Sequence, residues 1–410
     1  MTLLHLVSEQ RLQNLLPLLA LEPVVVVQVL SASERFGSVA EHLEGAVAEL
    51  LPPERRPRFE RICLGSMTPS IGETRSAVAG VLQNTPSPAV VNITGGTKPM
   101  SIGAFLAAEE HGIPTLYFDR GLQPAGGFAL PATRPLEAVI RSLTVPALLA
   151  THGVPPGSLQ STRPSDSELA FGRVAAELDA AHHELLKPLL DAIRAQLYPA
   201  GDDKPIPKSE IDRILSDGLP ELSDACLAGF YGAASEAGFL RPENSRFRYA
   251  IDPAWNSRKK LSTALKLSRT LVGGWFELHC FDRMARSGHF VDLRTGVQAK
   301  GTRVMGETDI VAADRATGSL IFVSCKADDL ALKPLEHVLA MRQRAREFGG
   351  SHARAILCIG RFKNAEKQKT IQKACLALGV ELHAGLEDAP TSADIPKMVK
   401  TITPGDQSNP

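Results

Sequence analysis

Two apolar runs in the carboxy-terminal half each carry a charged group inside what reads as a strand. Glu307-Thr308-Asp309-Ile310-Val311 precedes Ile321-Phe322-Val323-Ser324-Cys325-Lys326, so Asp309 stands 15 residues before Ser324 and 17 before Lys326. Residues two apart on a strand share a face, which puts Ser324 and Lys326 on one side. In a hairpin, Asp309 converges with them. A carboxylate to hold a divalent cation, beside a lysine to meet developing negative charge, is what phosphodiester hydrolysis requires. Asp309 is the expected main ligand for Mg²⁺ or Mn²⁺. Glu277, read as the end of a helix through Gly273-Gly274-Trp275-Phe276, adds a second carboxylate, and Glu307 a third. His279, His289 and His337 lack metal-ligand spacing and read as structural. The six cysteines, Cys63, Cys226, Cys280, Cys325, Cys358 and Cys375, include no close pair. That argues against a zinc site and fits a reducing cytoplasm.

A second stretch has binding chemistry. Val90-Val91-Asn92-Ile93-Thr94-Gly95-Gly96-Thr97-Lys98-Pro99-Met100 runs from a strand through glycines into a helix. Backbone N–H groups at such a turn point outward, and the helix N-terminus is electropositive. Thr94, Thr97 and Lys98 add hydroxyls and a cation, which suits a phosphate. The spacing is neither a Walker A loop nor GxGxxG. Ser8, Glu9 and Gln10, with Asn14 beyond, follow the first strand. If the first and fourth strands are neighbours, these two loops face each other at the switch point of a doubly wound sheet. The plain alternatives are a simple strand-to-helix turn and N-capping of the first helix.

The elements that must position these residues follow from periodicity. The first 120 residues alternate short apolar runs (3–7, 23–30, 61–64, 89–93, 115–118) with helical patterns (11–20, 34–51, 70–82, 99–111), which implies an open parallel α/β sheet. Residues 121–165 are rich in Gly, Pro, Ser and Thr and read as a connector. Residues 167–197 and 209–237 read as helices. Further on, 261–280 reads as a helix broken at Gly273-Gly274, 306–312 and 319–325 as strands, and 334–348 and 365–378 as helices, with strands at 353–360 and 380–383. The expected division of the 410 residues is 1–150, a helical connector 151–242, a second α/β domain 243–400, and a disordered tail 401–410.

Charge is divided unevenly. Residues 1–240 hold 18 Lys+Arg against 27 Asp+Glu, and residues 241–410 hold 27 against 18. A basic half suits a polyanionic partner. Arg258, Lys259, Lys260, Lys266, Arg269, Arg283, Arg286, Arg294, Lys300 and Arg303 are candidates for a phosphate-binding groove, with Trp255 and Trp275 the best aromatics for base stacking. No apolar run approaches the roughly 18–20 residues of a membrane span, and the amino terminus lacks a signal-peptide pattern. The expected location is cytoplasmic.

Together, Leu6-Val7-Ser8-Glu9-Gln10 with Asn14, the Thr94–Met100 loop, Gly273-Gly274-Trp275-Phe276-Glu277, Glu307-Thr308-Asp309 and Ser324-Cys325-Lys326 resemble the CARF-domain nucleases of type III CRISPR systems, in the branch that fuses one CARF domain to one PD-(D/E)XK nuclease domain. The resemblance implies a Rossmann-like CARF domain and a restriction-endonuclease-like α/β domain. It implies a homodimer that binds one cyclic oligoadenylate, usually cyclic tetra-adenylate, and then cuts single-stranded RNA, DNA or both with Mn²⁺ or Mg²⁺. It places ring binding at Ser8, Glu9, Gln10, Asn14 and Thr94 to Lys98, and catalysis at Glu277, Asp309, Ser324 and Lys326. One position departs. The pattern often has Glu two residues before the lysine, and here that residue is Ser324. A serine cannot replace a charged ligand, so Glu277 or Glu307 would have to compensate. The alternatives are a ring-binding sensor whose weak or inactive carboxy-terminal domain only binds nucleic acid, and a ring nuclease using Lys98, Ser8 and Thr94.

Overall fold

The computed structural model describes residues 1–32, 34–85, 88–118, 134–198, 205–221, 224, 227–243, 246–300, 305–328 and 334–385. The expected tail at 401–410, Arg303, Cys226 and the first part of the expected connector lie outside them. The chain is α/β, with an amino-terminal parallel sheet, a helical middle and a carboxy-terminal mixed sheet.

The amino-terminal part runs β1 (Thr2–Leu6), α1 (Leu12–Leu21), β2 (Val25–Leu30), α2 (Glu34–Leu50), β3 (Arg58–Cys63), α3 (Ile71–Asn84), β4 (Ala89–Asn92), α4 (Lys98–Glu110) and β5 (Thr115–Leu116). All strand pairs are parallel, in the order β3-β2-β1-β4-β5. The valine run in β2 explains its depth in the sheet. Val26, Val27, Val29 and Leu30 are all buried, each worth roughly 1.5–3 kcal/mol. Strands β1 and β4 are neighbours, so the order reverses between them and their carboxy-terminal loops flank one crevice.

Next come α5 (Leu136–Arg141), α6 (Val145–Thr151) and β6 (Leu159–Thr162). This corrects the reading of this stretch as plain connector. Strand β6 pairs antiparallel with a strand of the second sheet. The middle comprises α7 (Asp166–Leu197), α8 (Ile211–Asp217), α9 (Ala228–Glu236) and a hairpin of β7 (Leu240–Glu243) and β8 (Arg246–Tyr249). A capping box between Ser165 and Glu168 starts α7, and non-helical dihedrals at His182 kink it.

The carboxy-terminal part contains α10 (Ser257–Arg269), a π-helical turn (Thr270–Gly274), α11 (Trp275–Ser287), β9 (Phe290–Ala299), β10 (Met305–Asp314), β11 (Leu320–Asp328), α12 (Pro334–Gly349), β12 (Arg354–Arg361), α13 (Ala365–Leu378) and β13 (Glu381–Ala384). The sheet order is β13-β12-β11-β10-β9-β6. The expected break at Gly273-Gly274 is instead a widened turn that keeps α10 and α11 continuous, and π-turns recur at functional sites. Helix α11 packs against α7 at Gly172, where a Cβ would lie 2.8 Å from the Leu278 Cβ and 2.9 Å from the His279 nitrogen. That close approach fixes the helix bearing Glu277. One apolar core joins the two sheets, from Leu15 and Leu16 of α1 through Leu148 of α6 to Val311 and Phe322. Asp292 Oδ2 of β9 accepts from the Val145 N–H at the start of α6, 2.9 Å away. Among the described residues no helix is long and apolar enough to cross a membrane.

Candidate active site

Antiparallel pairing of β10 with β11 places Ile310 opposite Val323 and brings Asp309 beside Ser324. Asp309 Oδ2 accepts from the Cys325 backbone N–H at 2.6 Å, from Ser324 Oγ at 3.0 Å and from Lys326 Nζ at 3.3 Å. Lys326 Nζ also donates to the Cys325 carbonyl at 3.0 Å. The expected convergence of Asp309, Ser324 and Lys326 is therefore present. Ser324 is buried, whereas the Lys326 side chain is 35% exposed and reaches solvent.

Glu277 lies in the first turn of α11 rather than at a helix end. Its carboxyl is pushed up to about 8 by burial, then by the negative charge of Asp309 and Glu307, with Lys326 opposing. Glu307 itself is exposed on β10. Acidic groups that repel one another in a partly dry site are short of positive charge, and a dication with oxygen ligands supplies it. The residues fit Mn²⁺ or Mg²⁺ in this chemical sense. They are not drawn together, however. Among the described residues, the only three His, Cys, Asp or Glu ligand atoms within 4.8 Å of one another are the thiols of Cys280, Cys325 and Cys358.

Those thiols correct the sequence reading, which found no cysteines close together. The sheet register sets Cys325 beside Cys358, and α11 lays Cys280 over both. All three are buried in the core beneath Lys326.

Lys326 borders two cavities. One, of about 170 Å³, also meets Asp309, Ser324, Thr308, His337 and Arg344. The other, of about 420 Å³, meets Glu277, Gly274, Arg194, Tyr198 and Arg269. His337 was read as structural, yet its Nε2 lies 3.3 Å from Ser324 Oγ. Burial, then Lys326, hold its imidazole below the ordinary value, against the pull of Asp309. Arg344 Nη1 donates to the Glu307 carbonyl at 2.9 Å. Neither His337, Arg344 nor Arg194 had a sequence signal, since helices separate in the chain deliver them.

Of the basic candidates, Arg269 borders the larger cavity. Lys260 pairs with Asp212, Arg286 with Asp282 and Arg294 with Asp292. Lys259 sits 3.7 Å over the Trp255 ring. Trp275 is buried in the core and presents no ring for stacking, contrary to expectation.

A third cavity, of about 1030 Å³, opens where the loops after β1 and β4 meet. Ser8, Glu9, Gln10, Thr94, Gly96, Thr97 and Lys98 line it. Gly95 and Asn14 do not line it. A Cβ at Gly95 would sit 2.0 Å from the Leu6 carbonyl oxygen, so this glycine permits backbone contact between the two loops. Asn14 is buried and donates to that same carbonyl at 3.2 Å. Thr97 caps α4 by accepting from the Met100 N–H, and Pro99 follows Lys98 in the first turn. Thr94 Oγ1 donates to Asn92 Oδ1 and accepts from the Phe118 N–H, which ties β4 to the chain after β5. Lys98 is exposed. The far wall of this cavity comes from the other half of the chain, through Arg346 and Glu347 of α12 and Gly350 and Ser351 beyond it.

The parallel sheet, helical middle and mixed sheet define a two-sheet α/β class whose sheets share one core. No family model matches the chain, and no curated protein matches it. Two solved structures share its fold over nearly their whole length. Can2 from Sulfobacillus thermosulfidooxidans, in complex with cyclic tetra-adenylate, is 17% identical with a TM-score of 0.64, covering 97% of this chain and 98% of that one. The protein VC1899 from Vibrio cholerae is 13% identical with a TM-score of 0.67, covering 97% of each chain. At these identities the likeness establishes the fold.

Proposed function

We propose that this chain is a metal-dependent nuclease switched on by a cyclic oligoadenylate, with cyclic tetra-adenylate the first candidate. The observation that carries this reading is the position of α12. Its Arg346 lines the anion-suited cavity, and its His337, Met341 and Arg344 line the cavity at Asp309. His337 and Arg346 are nine residues apart on one helix, about 14 Å along the axis at ~1.5 Å per residue. A ligand that shifts Arg346 and Glu347 therefore moves side chains at the cutting site. The cyclic tetra-adenylate bound to Can2, a chain of the same fold, supports the choice of ring. A ring of phosphates suits the helix N-terminus and Lys98. In this reading two copies close around one ring, each contributing a cavity.

In the cutting step, Asp309 and Glu277 would hold Mn²⁺ or Mg²⁺, with Glu307 in support. The ion supplies charge neutralisation at the phosphate and activation of water. Asp309 is oriented by its bonds to Ser324 and the Cys325 N–H. Lys326 faces the phosphate and stabilises the negative charge that develops on it. Arg344 and Arg269 hold flanking phosphates of a single strand without reading sequence. RNA, DNA or both are the substrate class.

The test incubates the protein with Mn²⁺, labelled single-stranded RNA and DNA, and cyclic tetra-adenylate, then recovers the ring by chromatography. Cutting that requires the ring and falls steeply in Lys326→Ala, with the ring recovered intact, is the expected result. A second reading, a ring-binding sensor that no longer cuts, draws on Ser324 standing where a carboxylate would serve. Tight ring binding without cutting would favour it and defeat the first.

A further inference from the structure

We infer that His337 is a metal ligand of the cutting site, supplying from α12 the donor that Ser324 does not supply from β11. This rests on the nuclease reading above and adds a residue to it.

The geometry is specific. Ser324 Oγ donates to Asp309 Oδ2 at 3.0 Å and lies 3.3 Å from His337 Nε2. A single hydroxyl thus separates the carboxylate from the imidazole. Rotating that hydroxyl aside removes the one group that contacts both Asp309 and His337. His337 and Asp309 border the same cavity of about 170 Å³. Asp309 Oδ2 is occupied by three donors, but Oδ1 accepts no hydrogen bond among the described residues, leaving its lone pairs for a cation.

Among the described residues, Ser324 Oγ meets no carboxylate besides Asp309. Glu277 borders the separate cavity on the far side of Lys326, while Glu307, exposed on β10, borders the same cavity as Asp309 and His337 and can support the ion from its rim. A carboxylate at position 324 would meet a cation beside Asp309 from β11. Serine shortens that arm, and the imidazole reaches the same place from α12. A helix that also borders the ligand cavity is then itself bound to the ion.

A nitrogen donor changes the preferred ion. Mn²⁺, a first-row transition ion, accepts an imidazole nitrogen among oxygen ligands more readily than Mg²⁺, which keeps oxygen ligands and water. The site is expected to bind Mn²⁺ more tightly than Mg²⁺, with His337 responsible for the difference.

The experiment measures Mn²⁺ and Mg²⁺ binding to the full chain by calorimetry, without ring or nucleic acid. It adds pulsed electron paramagnetic resonance of the bound Mn²⁺. Wild type, His337→Ala, His337→Gln, Ser324→Glu, the double variant and Asp309→Ala are compared, with melting temperatures to confirm folding. Expected are imidazole nitrogen modulation in wild type, its loss in both His337 variants, and Mn²⁺ affinity lower by about tenfold or more. Mg²⁺ binding changes little, and Ser324→Glu restores affinity to His337→Ala. Bound Mn²⁺ without nitrogen modulation, or unchanged affinity in both His337 variants, overturns the inference. If ring-dependent cutting persists in that case, the nuclease reading stands without His337. If wild type binds no Mn²⁺ and cuts nothing, both fall.

Discussion

The backbone N–H of Cys325 donates to Asp309 Oδ2 at 2.6 Å, so the carboxylate is held by the strand that carries Lys326. Acid and cation therefore move as one unit, and the bond costs something to lose. Asp309→Ala leaves the Cys325 N–H and the Ser324 hydroxyl without that acceptor in a mostly buried setting. Denaturant melts are expected to show a loss of about 1–3 kcal/mol. Asp309→Asn keeps an oxygen in place and loses less. Both variants stop cutting.

Lys326→Ala removes a cation without removing a core side chain. Cutting is expected to fall by about 100- to 1000-fold, as for loss of one preorganised charge-stabilising group. Ring affinity stays within twofold of wild type, read by calorimetry.

Glu277 gives the site a pH dependence. Its carboxyl is raised to about 8 in the fold, chiefly by burial. A raised acid binds its proton more tightly folded than unfolded. The metal-free protein therefore loses stability as pH rises from the ordinary carboxyl range towards 8. Mn²⁺ competes with that proton, so Mn²⁺ affinity rises with pH over the same window. Both trends should flatten in Glu277→Gln, checked by thermal melts and calorimetry from pH 5.5 to 8.5.

His5 gives an opposite trend in the other sheet. It is fully buried in β1, and neither ring nitrogen has a hydrogen-bond partner among the described residues. Burial lowers its pKa to about 3. Its neutral form is compatible with the fold, and stability is lost as pH falls below the ordinary histidine value of about 6.5. His5→Leu should match wild type or exceed it at pH 7.5 and lose less at pH 5, measured by denaturant midpoints.

Much of this was legible in the sequence because local pattern and tertiary setting agree. The valines of β2 and the apolar cores of β10 and β11 are recognisable as strands, and the fold needs them buried. Strand β9 was missed because charges at Asp292 and Arg294 interrupt its apolar pattern. Strand β6 was missed because Leu159–Thr162 is short, mostly polar and at a sheet edge. Gly273-Gly274 suggested a break, but packing against α7 and β11 sustains a π-turn there. His337 and the three convergent cysteines have no spacing signal, since their proximity arises only when α11, α12 and the sheet pack. Asp309 and Lys326 were readable because two strands of a hairpin keep their register in the sequence.

Lys98 tests the anion cavity. It is exposed, so Lys98→Ala should leave the melting temperature unchanged and weaken cyclic tetra-adenylate binding by about tenfold, the loss of one charge-assisted bond. Gly95→Ala is expected to do the reverse of a clean binding defect. Its methyl would press on the Leu6 carbonyl, so stability falls along with binding.

The central claim, a cutting site gated by a ring shared between two copies, is tested most directly by one titration. Cyclic tetra-adenylate is added to a fixed, micromolar concentration of the chain with Mn²⁺ and excess labelled single strand, and the initial cutting rate is followed. The rate should begin near zero and level off at one ring per two chains. A rate independent of the ring, or no cutting at a ring concentration where binding is complete, would contradict it.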